Sequence, residues 1–330
     1  MRNYFVSKIN GGKLFLPYMA AWLGTVVSCV AASSVAAAFL GPDVRYGIRY
    51  VAGVLLFMAS WLPMLAGMCV AVFHFVRGTV GGMSLGGDAF GTEYPVRAYT
   101  VRCVKGCLLS ALTLGIYTPW FMASLMRYFA SETSFRTGFM EFRGRGSTLF
   151  GFAVLLVVAP VAILLLAWPG GADELSVADM PLLVAAVFVA LLICVGFYRA
   201  FEIKWFIDLA FGRKRIMTEV RCGHAGWFLF GQMMLSVLTL GFYYPMALLR
   251  IWRYYVLRLV LGEDYVEDRF GFSMNATEDY LYIFIQMLLT SVTVGIYAPW
   301  AYARIASRLV GKSYVEVLDD STEPMPADYH

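Results

Sequence analysis

The sequence predicts an all-α, polytopic integral membrane helix bundle with about seven hydrophobic helices. Three observations predict it. Hydrophobic residues make up 60% of the 330-residue chain and charged residues 15%, against about half and about a quarter in soluble domains. The apolar residues are also clustered, with residues 14–40, 146–172 and 180–198 carrying no charge. Crossing a hydrocarbon core of about 30 Å takes about 20 such residues at 1.5 Å each. Finally, one eight-residue pattern recurs three times inside apolar segments.

In chain order, Arg2, Lys8 and Lys13 precede the first apolar run. That run exceeds the roughly 7–15 residues of a cleaved signal, so it reads as a retained anchor. Segments 14–40 and 49–76 make an N-terminal transmembrane hairpin within residues 1–77, with a kink at Pro63. Residues 78–98 form a Gly-rich connector that lacks the Gly-Lys-Ser/Thr ending of a phosphate-binding loop. A membrane domain over 99–315 holds segments 104–126, 148–168, 180–198, 226–249 and 280–303. An acidic tail, 316–330, reads as disordered. Glycines ahead of aromatics in 5–15, 142–150 and 220–230 read as brief strands or turns at the membrane interface.

The repeat is Thr113-Leu-Gly115-Ile-Tyr117-Thr-Pro119-Trp120, then Thr239-Leu-Gly241-Phe-Tyr243-Tyr-Pro245-Met246, then Thr293-Val-Gly295-Ile-Tyr297-Ala-Pro299-Trp300. Proline lacks an N–H and clashes with the carbonyl four residues back, here the glycine's. Each copy therefore reads as a helix broken or kinked at one point. Tyrosine and tryptophan favour the headgroup level. Arg127, Arg250, Arg253 and Arg304 follow within two turns and read as lipid or interface anchors. A second reading makes the three breaks surround a polar site, with the Thr and Ser hydroxyls, Gln232 and Gln286 as its lining.

Loop charge bears on topology. Residues 127–147, 199–225 and 250–278 are basic, whereas 169–179 carries only Asp173, Glu174 and Asp179. Basic loops belong on the cytoplasmic side. Seven full crossings would put 169–179 inside and 199–225 outside. Charge and topology agree if the motif segments are re-entrant. Segment length argues the other way, since each is long enough to span.

Catalytic chemistry is not legible. His74 lies in an apolar helix and His224 in a basic loop, and no carboxylate sits centrally in a segment. Six cysteines show no CxxC pair, so no metal site and no cofactor are expected, and no enzyme activity. Arg199–Glu202 and Lys204–Asp208 have helical pair spacing. Glu263, Asp264, Glu267 and Asp268 read as a solvated acidic loop. The net charge of +4 suits anionic phospholipid headgroups, and nothing calls for nucleic acid.

The repeated Thr-Leu-Gly-Ile-Tyr-x-Pro-Trp element, with its following Arg-Tyr at Arg127-Tyr128 and Arg253-Tyr254, resembles the YjgN-like family of bacterial inner-membrane proteins, a domain of unknown function. The likeness covers roughly residues 100–315. Met246 and Ser307 depart from it. The resemblance implies a multi-pass protein of the bacterial cytoplasmic (inner) membrane and no reaction. The expected function is a transporter or channel-like protein for a small solute or lipid. The alternative is a non-enzymatic scaffold or assembly factor binding partners through its basic loops. Expected partners are the lipid bilayer and a homo-oligomer or another membrane protein.

Overall fold

The computed structural model describes residues 2–39, 47–135, 138–158, 160–162, 180–211, 214–263 and 266–316. The chain alternates helical and β hairpins. β1 (Arg2–Ser7) leads into α1 (Gly11–Phe39), α2 (Ile48–Ala59) and α3 (Leu62–Val80). β2 (Met83–Leu85) and β3 (Asp88–Thr92) precede α4 (Val96–Leu112) and α5 (Thr118–Ser131). β4 (Thr133–Phe135) and β5 (Gly138–Phe142) lead to α6 (Gly146–Ala153), which continues as a π-turn at Val154–Val158, and then to α7 (Met180–Phe206). β6 (Leu209–Phe211) and β7 (Lys214–Thr218) precede α8 (Cys222–Leu238) and α9 (Tyr244–Val256). β8 (Leu259–Glu263) and β9 (Val266–Phe272) precede α10 (Ala276–Val292), α11 (Ala298–Gly311) and β10 (Ser313–Glu316).

The ten strands close into one antiparallel barrel, each pairing with its chain neighbour and β1 with β10. Register fixes the orientation of everything else. Ser7 pairs with Met83, Thr92 with Thr133, Phe142 with Leu209, Thr218 with Leu259 and Phe272 with Ser313. At each of these pairs the chain departs for helices or returns from them. Five helical hairpins thus leave from one rim, and the β-hairpin ends occupy the other. Around the rim α3 meets α4, α5 meets α6, α7 meets α8, α9 meets α10, and α11 meets α1. The helices form a closed ring on the barrel.

Alternation along the strands puts Phe5, Phe90, Phe135, Phe211 and Phe270 on the more buried face. Phe90 stacks on Phe135 at 4.6 Å, and Phe135 meets Phe211 at 5.7 Å. Tyr4, Glu141 and Arg215 lie on the opposite, exposed face.

The expected seven-helix all-α bundle is overturned by this barrel. Among the described residues, three helices are long and apolar enough to cross a membrane: 11–39, 49–80 and 184–206. They belong to two long hairpins, α1 to α3 and α6 to α7. Gly24 and Gly67 let α1 and α3 touch, since a Cβ on Gly67 would lie 2.6 Å from the Ala20 carbonyl oxygen. Buried Ser28 of α1 accepts the Met64 N–H at 3.0 Å, satisfying a first-turn donor of α3. The Gly-rich connector holds β2 and β3, joined through Gly86 and Gly87, which both have positive φ (62° and 92°) as a tight two-residue hairpin requires. The stretches read as interfacial strands at 142–150 and 220–230 are mostly helix starts, with strands just before them. Of the acidic run read as a solvated loop, Glu263 ends β8 and Glu267 and Asp268 lie in β9, while Asp264 lies outside the described residues. Residues 169–179 and most of the acidic tail lie outside the described residues.

Candidate functional site

Each motif segment is a helical hairpin rather than a kinked helix. α4 ends at Leu112, and the N–H of Gly115 bonds the Ser110 carbonyl at 2.7 Å while the N–H of Leu114 bonds Ala111 at 3.2 Å. This pairing is a Schellman C-cap. The same bonds recur from Gly241 to Ser236 and Leu240 to Val237, and from Gly295 to Thr290 and Val294 to Ser291. Leu114, Leu240 and Val294 sit at φ near 50°, followed by Gly115, Gly241 and Gly295 near 90°.

Pro119, Pro245 and Pro299 stand in the first turn of the second helix, where a missing N–H costs nothing. The anticipated clash with the glycine carbonyl does not occur. The Gly115 carbonyl instead accepts the Thr118 N–H at 3.0 Å. Thr113 Oγ1 donates to the Leu109 carbonyl at 2.7 Å and accepts the Tyr117 N–H at 3.0 Å. Thr239 and Thr293 repeat both bonds. These hydroxyls are turn caps, not the lining of a polar site.

The turn leaves apolar side chains at the tip. Leu114, Leu240 and Val294 are 80%, 90% and 81% exposed, and each is flanked by an exposed neighbour two residues away on either side, such as Leu112 and Ile116. A β-branched residue in the left-handed region is strained. Val294→Gly is expected to raise thermal stability in detergent by about 1 kcal/mol. Unchanged or lower melting would show that the valine tip carries packing instead.

Two copies hold a polar brace. Tyr243 Oη donates to buried Gln232 at 3.0 Å and accepts Arg250 at 2.7 Å. Tyr297 does the same with Gln286 and Arg304. In the first copy, Gly106 and Ser124 stand in place of glutamine and arginine, and Phe121 fills the space over Gly106. Trp120 and Trp300 each receive the next long hairpin. Gly146 and Phe150 pack on Trp120 as Gly11 and Phe15 pack on Trp300, with both ring pairs 5.1 Å apart. Met246 faces Ala276 of a short hairpin. The Trp/Met difference therefore follows from which neighbour comes next. Arg127 reaches the Gly144 carbonyl at 3.4 Å, and Arg253 is exposed.

The helix ring has one loose seam, between α3 and α4. It forms an apolar cleft of about 570 Å³ lined by Leu62, Leu65, Val70, Val104 and Leu108, with Cys69, Cys103 and Cys107 along its length. Phe73 and Tyr99 close its base at 4.9 Å, and Tyr99 Oη donates to the Cys69 carbonyl at 2.7 Å. At the barrel end the cleft reaches His74 and Arg77. Those two residues also line a second cavity of about 420 Å³ with Lys8, Asn10 and Lys13. No carboxylate lines this basic cavity among the described residues. His74 and Arg77 thus stand between an acyl-sized apolar slot and a cationic pocket.

Other junction cavities are basic too. One gathers Arg143, Arg145, Lys204 and Arg215, another Arg250, Arg253 and Arg258, and a third Arg102 and Arg127. Arg215 is held by Asp208 at 2.8 Å, and Lys204 donates to the Val220 carbonyl rather than pairing with Asp208. Together these cations form a collar where helices meet barrel. The collar is not legible in the sequence because its members come from many distant stretches. Lys8, Lys13, His74 and Arg77 were each legible, but their convergence was not.

Asp279 is the charged hub of the rim. It is 1% exposed, and it accepts Arg308 and Lys312 at 2.6 Å and the Asn275 N–H at 2.9 Å. Burial by itself raises its pKa. The bonds from Lys312, Arg308 and Asn275 outweigh that and hold it below 3.8.

No curated protein and no solved structure matches the chain. The profile of a family described as "Bacterial protein of unknown function (DUF898)" matches it twice, over residues 2–139 and 132–274. Each match holds one long hairpin followed by one motif hairpin, and the third motif hairpin falls outside both. The chain belongs to this bacterial family of unknown function, the YjgN family.

Proposed function

We propose that the protein is a multi-pass protein of the bacterial inner membrane that takes an anionic amphiphile, of phospholipid class, into the seam between α3 and α4. The observation that carries this is that the apolar cleft and the cationic pocket adjoin at His74 and Arg77, which line both. Ligand pockets of about 300–1,000 Å³ with a few converging polar groups suit such molecules. The acyl chain lies along Val104 and Leu108, and the phosphate meets Lys8, Lys13 and Arg77. Binding is the step supported here, and passage of the amphiphile across the membrane is the transporter reading it serves.

The same geometry supports a membrane placement within this reading. The two long hairpins cross, and the collar rests on the anionic cytoplasmic headgroups with the barrel in the cytoplasm. α4, of 17 residues, is about 25 Å long, short of a full crossing of about 30 Å. The three motif hairpins enter and return with their apolar tips in the hydrocarbon. Their backbone turns are satisfied internally by the Schellman bonds and threonine caps, which the bilayer demands.

The test is fluorescent phosphatidylglycerol binding to detergent-purified protein, with phosphatidylcholine as the neutral comparison. Lys13→Gln with Arg77→Gln should weaken phosphatidylglycerol by about 2 kcal/mol, roughly thirtyfold, and leave phosphatidylcholine unchanged. Equal loss for both lipids, or no loss, would overturn the reading. A stoichiometric protein partner with no lipid preference would favour the scaffold alternative.

A further inference from the structure

The cleft carries a feature that amphiphile binding does not use. Cys69 of α3 and Cys107 of α4 face each other across the seam with their sulfurs 3.9 Å apart. Both are half-buried free thiols, and Cys103 of α4 lies buried beside them. The two helices are joined here by little else than the Tyr99–Cys69 bond and the aromatic base, so the seam has room to close. A disulfide needs its sulfurs at about 2.05 Å, so the pair must approach by about 2 Å.

We infer that Cys69 and Cys107 are a reversible staple that shuts the cleft, an inference that rests on the cleft being the amphiphile site. One bond forms, between the two sulfurs, and two S–H bonds break. The two electrons and two protons pass to a lipid-soluble quinone, which becomes the quinol. A quinone is the acceptor class that fits, because the thiols face an apolar slot. Thiol–disulfide exchange with a reduced dithiol reverses the step. With α3 drawn onto α4, the slot along Val104 and Leu108 narrows and the acyl chain has no room.

The experiment uses full-length protein in detergent micelles, incubated with a short-chain ubiquinone analogue. Quinol is followed by absorbance, linkage by peptide mapping without reductant, and occupancy by phosphatidylglycerol binding. The expected result is a Cys69–Cys107 cross-linked peptide, one quinol per protein, and loss of lipid binding that dithiothreitol restores. In Cys69→Ser and in Cys107→Ser the lipid binding that each variant shows should be the same with and without quinone, and Cys103→Ser should still cross-link. A chain that stays reduced at both positions overturns the staple. So does a cross-linked chain that binds lipid as before. If the reduced wild-type protein binds no lipid at all, it is the amphiphile reading that fails. The formation of the cross-link then still reports on the thiols alone.

Discussion

Asp279→Ala is expected to lower folding stability by about 3 kcal/mol, because it strands the cations of Arg308 and Lys312 in a rim where their side chains are only 27% exposed. The position itself shows why the loss is large. The fourth residue of the first helix is buried in every hairpin: Leu14, Tyr99, Leu149, Ala225 and Asp279. Four hairpins fill it with an uncharged side chain, and only the last builds it from charge. Asp279 also accepts the N–H of Asn275 at the start of α10, where a negative charge is favoured by the helix dipole. Its folded pKa lies below the unfolded one, so its contribution is complete above the unfolded value of 3.8. That contribution is lost as pH falls through the folded value, below about pH 4. Thermal melting in detergent at neutral pH should show the full deficit in Asp279→Ala, and wild type and variant should converge as the solution is acidified. Parallel pH profiles would show that Asp279 is protonated already and that its bonds are not charge-assisted.

Gly67→Ala is expected to cost about 2 kcal/mol through overpacking. Its Cβ would meet the Ala20 carbonyl oxygen at 2.6 Å and the Ala21 Cα at 2.8 Å, both backbone atoms that no side-chain rotation can clear. α1 and α3 must separate, and the Met64 N–H then pulls away from Ser28. Gly231→Ala is the control, since nothing lies within 4 Å of its added Cβ and helix propensity alone favours it by up to about 1 kcal/mol. Opposite shifts in melting temperature are expected for the two. A neutral Gly67→Ala would mean that the long hairpin tolerates a wider crossing.

The helices were legible because bilayer-length apolar runs leave little else to read, and the motif was legible because it repeats. Its geometry was not. Gly115 and Pro119 are four apart, which in a continuous helix means a clash. Leu114 in the left-handed region ends the helix before the proline is reached, and nothing in a leucine announces that. Val294 is less expected still. The barrel escaped for a different reason. Its strands run three to seven residues, and isolated strands of that length have no stability of their own. Met83-Ser-Leu and Asp88 to Thr92 form a sheet only because partners from distant stretches complete the ring. In the proposed placement the conflict between loop charge and seven crossings has a simple origin: three segments counted as spans are hairpins that return to the side they left.

The pairing of β1 with β10 orders events during biosynthesis. Tyr4 meets Tyr314 and Arg2 meets Glu316, so β1 waits about 310 residues of translation for one of its two neighbours. Until then the growing sheet has two raw edges, both able to recruit a strand from another nascent chain. Insertion of the hairpins can proceed stepwise with translation, but closure is a single late event. A message broken shortly before the codon for Ser313 would therefore yield an unclosed, sticky crescent, a natural substrate for quality-control proteolysis.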